Sequence, residues 1–148
     1  MLDLDTRTID FILAFLQAKM EIPVYMYIPA GMQLQRISSD DKSYILKLKK
    51  SLYGLKQASA NWYYMLWKAL HSRGFKDSVA DSCVFLRQDL IVLVYVDECI
   101  LIGKNKSVIE EFIKSLKNGP ENFIFMDEGD LNKYLGVEIK KIGSSGSF

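Results

Sequence analysis

The chain predicts an α+β fold, a mixed and mainly antiparallel sheet packed on two helices. Three observations carry that prediction. Several apolar runs, among them LIVLVYV (90–96) and CILIG (99–103), are short and rich in β-branched and aromatic residues, as buried strands are. Two longer stretches, near 60–74 and 107–120, repeat their apolar residues at helical spacing. At 148 residues with 49% hydrophobic content, the chain is the length of one domain and can fill a core.

The elements follow in order. LDTRTIDF (4–11) alternates as a strand ending near Asp10, after which ILAFLQA (12–18) turns into a short helix. VYMYI (24–28) is a second strand, closed by Pro29 and Gly31, and the polar stretch 31–43 is a loop. In YILKLKK (44–50), Tyr44, Leu46 and Leu48 alternate with lysines, the pattern of an edge strand with one wet face. The helix over 60–74 aligns Trp62, Leu66, Ala69 and Leu70, with Ser59 as its N-cap and Gly74 as its stop. SCVFLRQ (82–88) and LIVLVYV form a hairpin around Gln88 and Asp89, continued by CILIG. The second helix groups Val108, Ile109, Phe112 and Leu116, starting at Ser107 and ending at Gly119 and Pro120. NFIFMDE (122–128) and YLGVEIKKI (134–142) are the last strands, and GSSGSF (143–148) is a flexible tail.

Nineteen Lys and Arg against 18 Asp and Glu leave no global field that would draw the chain onto nucleic acid, so any such binding needs a local patch. Cys83 and Cys99 lie within apolar runs without metal-type spacing, and read as buried thiols in a reducing compartment. No apolar run reaches the roughly 18 to 20 residues that span a bilayer, and the amino terminus lacks a basic stretch followed by an apolar one. A cytoplasmic or nuclear protein is expected. His71, near a helix end, reads as a C-terminal charge rather than a catalyst.

Asp97 and Glu98 interrupt the apolar run 90–103 and belong on a tight turn between two strands, because an unpaired charge buried along the strand would cost several kcal/mol. Five stretches then line up with one family. IDFILAFLQA (9–18), VYMYIPAGM (24–32), KLKKSLYGLKQASANWY (47–63), YVDECILIG (95–103) and YLGVEI (134–139) resemble, in order and spacing, the motifs of the Ty1/copia-type retrotransposon reverse transcriptase domain. The first keeps Asp10, Ala14, Phe15 and Leu16 of that family's Asp-Val-Lys-Thr-Ala-Phe-Leu motif, and the third nearly repeats its Leu-Lys-Lys-Ser-Leu-Tyr-Gly-Leu-Lys-Gln-Ala signature.

The resemblance implies a polymerase palm over residues 4–142 and RNA-directed DNA polymerase chemistry. Two Mg²⁺ or Mn²⁺ ions would be bridged by Asp10 and Asp97, with Glu98 the third catalytic acid and the Phe11 carbonyl a further ligand. Phe15 would pack under the incoming sugar, Gln57 would line the nucleotide site, and Tyr95 would touch the primer end. Leu135 and Gly136 would form the primer grip. Lys47, Lys49, Lys50 and Lys56, interleaved with Tyr53 and free of acids, form a basic stretch suited to phosphates, together with Lys42 and Tyr44 just upstream. The implied partners are an RNA or DNA primer–template, deoxynucleoside triphosphates and the rest of a Pol polyprotein, with no membrane.

The chain also departs from the family. Glu98 stands where the family has aspartate, Ile12 and Leu13 replace a Lys-Thr-type pair, and the proline and arginine usual after Gln-Ala are absent. Only nine residues precede Asp10. The expectation is therefore a palm without fingers or thumb, weak or inactive alone, with a non-catalytic nucleic-acid-binding module or an interaction scaffold as the alternatives.

Overall fold

The computed structural model describes residues 4–32, 44–134 and 137–139. In chain order the elements are β1 (Asp5–Phe11), α1 (Ala14–Gln17), β2 (Tyr25–Tyr27), β3 (Ile45–Lys47), α2 (Ala58–Ser72), β4 (Lys76–Asp77), β5 (Val84–Leu86), β6 (Leu90–Tyr95), β7 (Glu98–Gly103), α3 (Lys106–Lys117), β8 (Phe125–Gly129), β9 (Lys133–Tyr134) and β10 (Val137–Glu138). The class is α+β, as the sequence predicts, and every ladder among the described residues is antiparallel. The chain divides into two compact units, one of residues 1–12 and 70–148, the other Leu13–Ala69.

The first unit is built on a six-stranded sheet of order β4-β5-β6-β7-β1-β8. β1, from the chain's start, lies between β7 and β8, which come late. Directly opposed residues share a face, so the register sorts this sheet into two chemistries. One face carries Ile9, Phe11, Cys99, Leu101, Val92, Val94 and Phe85, all buried. The other carries Asp10, Thr8, Glu98 and Ile100.

Helix α3 packs on β7 and β1. Its Ile109, Phe112, Ile113 and Leu116 recur at helical spacing and are buried, each stabilising by about 1.5 to 3 kcal/mol through lost apolar exposure. Asn105 caps it, its side chain accepting from the Val108 amide at 3.0 Å, so the cap lies two residues before the predicted Ser107. Phe11 meets Phe123 and Phe125 edge-on, with centroids 5.2 and 5.4 Å away. Beyond the helix, Arg73 donates to the Ser115 carbonyl and to Glu121, both at 2.8 Å. That charge-assisted bond holds the Glu121 carboxyl below its usual pKa.

The second unit holds α1, the two-stranded sheet β2–β3 and most of α2. Here the expected strand 44–50 is shorter, and among the described residues its ladder is with β2. α2 begins at Ala58, which places Ser59 inside its first turn rather than at the cap; Trp62, Leu66 and Ala69 are buried as their spacing predicts. Gly74, at φ 84°, ends the helix run in a conformation open to glycine.

Cys83 is exposed, because it lies in the turn before β5 rather than in a buried strand, while Cys99 is buried as read. β4, a two-residue edge strand, has no apolar run to announce it. Among the described residues no helix is long and apolar enough to cross a membrane.

Gly103 ends β7 under α3, where an added Cβ would stand 2.7 Å from Ile109 Cγ1. Gly103→Ala is expected to destabilise by about 1 to 3 kcal/mol through overpacking. Urea unfolding is the check: a lower midpoint with an unchanged slope.

Candidate catalytic carboxylate site

The acidic pair is split by the hairpin. Tyr95 pairs with Glu98, so the connecting turn is Val96–Asp97 and only one of the two acids sits on it. This corrects the sequence reading. A two-residue hairpin needs positive φ at its first position to match strand twist, and Val96 adopts 57°. A β-branched residue held there stores about 1 to 3 kcal/mol of strain.

Glu98 opens β7, and the β1–β7 register sets it directly opposite Asp10. Opposed Cα atoms lie about 4.5 to 5.5 Å apart, so two acids far apart in sequence become neighbours. The Phe11 amide donates to the Asp97 carbonyl at 2.8 Å, tying the end of β1 to the turn. The structure thus brings Asp10, Phe11, Asp97 and Glu98 together.

A fourth acid joins them. β8 pairs with β1 through Thr8↔Gly129 and Ile9↔Asp127, and the register shift between them leaves Glu128 as an extra residue. Burial raises the Asp10 carboxyl above its usual value, and Asp97 and Glu128 push it further. Glu98 is likewise raised by burial, then by Glu128, Asp10 and Asp97. Sequence reasoning missed Glu128, and its only signal is the acid-rich MDEGD run after an apolar strand start; a bulge leaves no periodic mark.

Carboxylates that raise one another's pKa values make a site that either takes up protons or takes up a cation. The donors suit Mg²⁺ in kind, being hard oxygens, and Mg²⁺ is commonly held by one or two carboxylates with phosphate and water completing its shell. Among the described residues no three His, Cys, Asp or Glu side chains stand close enough to hold an ion by themselves. The fit is that of an open site, not a closed cage.

The remaining candidates fall as follows. Tyr95, next to the turn, is 54% exposed. Phe15 and Gln57 belong to the second unit, where the Phe15 ring lies 4.6 Å from that of Tyr53, and the Gln57 carbonyl accepts from the Asn61 amide at 2.9 Å. Lys47, Lys49, Lys50 and Lys56 are exposed there, with the Lys50 ammonium donating to the Gln17 carbonyl at 3.2 Å. Leu135, Gly136 and Lys42 lie outside the described residues. His71 is in the last turn of α2, with Nε2 3.1 Å from Asp77.

The raised carboxyls fix a sign. An acid whose folded pKa exceeds its unfolded value binds more protons folded than unfolded, so stability falls as pH rises above the ordinary carboxylate range near 4. Asp10→Asn is therefore expected to raise Tm at pH 7, with the gain shrinking toward pH 4. Thermal melts of both proteins across that range check it.

A family model described as reverse transcriptase (RNA-dependent DNA polymerase) matches residues 4–146. The chain is 36% identical over 140 residues to the retrovirus-related Pol polyprotein from transposon RE1 of Arabidopsis thaliana, covering 92% of this chain and 9% of that one. Against the Pol polyprotein from transposon TNT 1-94 of Nicotiana tabacum it is 32% identical over 143 residues, 93% of this chain and 10% of the relative. The Ty1-DR1 Gag-Pol polyprotein of Saccharomyces cerevisiae is 33% identical over 137 residues, 89% and 7% respectively. The chain thus spans a tenth or less of the length of these relatives. No solved structure matches. On these matches and motifs, the chain belongs to the reverse transcriptase (RNA-dependent DNA polymerase) family, in the form carried by Ty1/copia-type retrotransposon Pol polyproteins.

Proposed function

We propose that this chain carries the palm chemistry of an RNA-directed DNA polymerase, with Asp10 and Asp97 as its metal-holding carboxylates. One observation carries the reading: the β1–β7 register that opposes Asp10 to Glu98 while the Phe11 amide binds the Asp97 carbonyl. Two divalent ions, Mg²⁺ or Mn²⁺, would supply charge stabilisation to the attacking and leaving oxygens when bound. Asp10 and Asp97 would hold them, with the Phe11 carbonyl as a further oxygen donor.

The other residues position the substrates. Phe15 packs beneath the incoming sugar and Gln57 lines the nucleotide site, while Tyr95 meets the primer end. Lys47, Lys49, Lys50 and Lys56 contact backbone phosphates, and Leu135 with Gly136 grips the primer. The substrates are a primer–template and deoxynucleoside triphosphates, in the cytoplasm or nucleus and in the setting of a Pol polyprotein.

Glu98 limits the rate. Its extra methylene carries the carboxylate about 1.5 Å farther than aspartate would, and a misplacement of about 1 Å can cost a hundredfold. Primer extension on a poly(rA) template with Mg²⁺ or Mn²⁺ tests the proposal. Slow incorporation is expected, falling at least about a hundredfold in Asp97→Asn and rising in Glu98→Asp. Incorporation that Asp97→Asn leaves unchanged would contradict it.

A further inference from the structure

Thr8 holds an unmet polar group. It lies on β1 two residues before Asp10 and is 3% exposed, and its hydroxyl Oγ1 has no hydrogen-bond partner among the described residues. A buried hydroxyl left unpaired carries a desolvation cost that nothing in the fold offsets. Pairing with Gly129 sets Thr8 beside the β8 bulge, where it lines a cavity of about 140 Å³ with Glu128, Asp130 and Asn132. All four residues belong to the first unit.

The charges of this cavity are one-sided. Among the described residues neither Glu128 nor Asp130 is in an ion pair, whereas their neighbour Asp127 is matched by Arg7 at 3.1 Å. The Asn132 backbone carbonyl accepts from the Ile139 amide at 2.8 Å, which holds that residue at the cavity wall. A second cavity, of about 360 Å³, adjoins the first and shares Asp130 and Asn132 with it. Leu4, Leu131 and Ile139 give the second cavity apolar walls, and its other two charged residues, Asp5 and Lys106, are of opposite sign.

We infer that the two cavities together bind a primary alkylammonium, with the NH₃⁺ among Thr8 Oγ1, Glu128, Asp130 and Asn132 and the alkyl stem against Leu4, Leu131 and Ile139. An ammonium has three N–H donors and no acceptor, and the inner cavity supplies hydroxyl, carboxylate and amide oxygens. A divalent metal fits less well, because among the described residues no three Asp, Glu, His or Cys side chains converge. The outer walls suit the stem, since lysine-like chains lay their methylenes on apolar surface and keep the charge at a polar end. Lysine side chains and free aliphatic amines share this chemistry. Glu128 also stands in the field of Asp10, so a cation beside it offsets part of the repulsion among the acids. Binding itself needs neither metal nor nucleotide, and does not rest on the polymerase reading above.

Amide NMR of the full 148-residue chain, free of nucleic acid and in EDTA, is the test, with n-butylamine and Nα-acetyl-lysine methylamide as probes. Saturable shifts are expected at the amides of residues 8 and 128–132, with dissociation constants of about 1 to 10 mM for ligands this small. Tighter binding of the lysine derivative assigns the cavity to a lysine of another polypeptide segment, and tighter binding of butylamine assigns it to a free amine. n-Butanol, the uncharged analogue, is expected not to bind there. Thr8→Val keeps the side chain's shape without its hydroxyl, and is expected to weaken amine binding by about threefold or more while raising Tm in the absence of ligand. Glu128→Gln with Asp130→Asn is expected to weaken binding by about tenfold or more.

No saturable shift with either amine overturns the inference, as does equal binding of n-butanol. So does unchanged amine binding in Thr8→Val; a lowered Tm there as well would assign the hydroxyl to a buried water. Lys140 and Lys141 follow Ile139 in the sequence. An amine that binds only when both are changed to Gln would assign the cavity to the chain's own lysines, and overturns the inference too.

Discussion

The pairing of β1 with β7 is the constraint on which the site depends. Six consecutive pairs, from Asp5↔Gly103 to Asp10↔Glu98, fix which side chains point where. A slip of one residue would send Ile9 and Phe11 to the open face and Asp10 into the core, at several kcal/mol for the stranded charge. The same ladder that buries Phe11 between Phe123 and Phe125 therefore sets Asp10 beside Glu98. Core and chemistry are two faces of one register.

That arrangement has a cost. Four carboxylates, from β1, the β6–β7 turn, β7 and the β8 bulge, stand in one another's fields, and burial raises Asp10 and Glu98 before their neighbours add to it. Nearby, Cys99 sits inside the core with its thiol pushed up by burial, so it stays protonated and inert. The turn adds strain through Val96 at φ 57°. Repulsion and strain are concentrated at these strand ends, while α3 and three phenylalanines secure the opposite face.

Much of this was legible in the sequence. The apolar runs at 90–96 and 99–103 announced their strands, the spacing of Ile109, Phe112 and Leu116 announced α3, and the ordered motifs pointed to the family that the family model and the relatives show. What the sequence could not show depends on exact pairing. Whether Glu98 sat on the turn or opened the strand turns on one residue of register, and the sequence reading put it on the turn. Glu128 entered the site through a bulge, which has no periodic signature. Cys83 looked buried because its run is apolar, yet it lies in a turn.

The central claim is that this register builds a divalent-ion site from Asp10 and Asp97. Paramagnetic broadening of backbone amides by Mn²⁺, added in small fractions of an equivalent, reads it residue by residue. The account predicts that amides at 10–11, 97–98 and 126–128 broaden first, and that Asp10→Asn with Asp97→Asn removes the effect. Broadening centred elsewhere on the chain, or unchanged in that double variant, would contradict it.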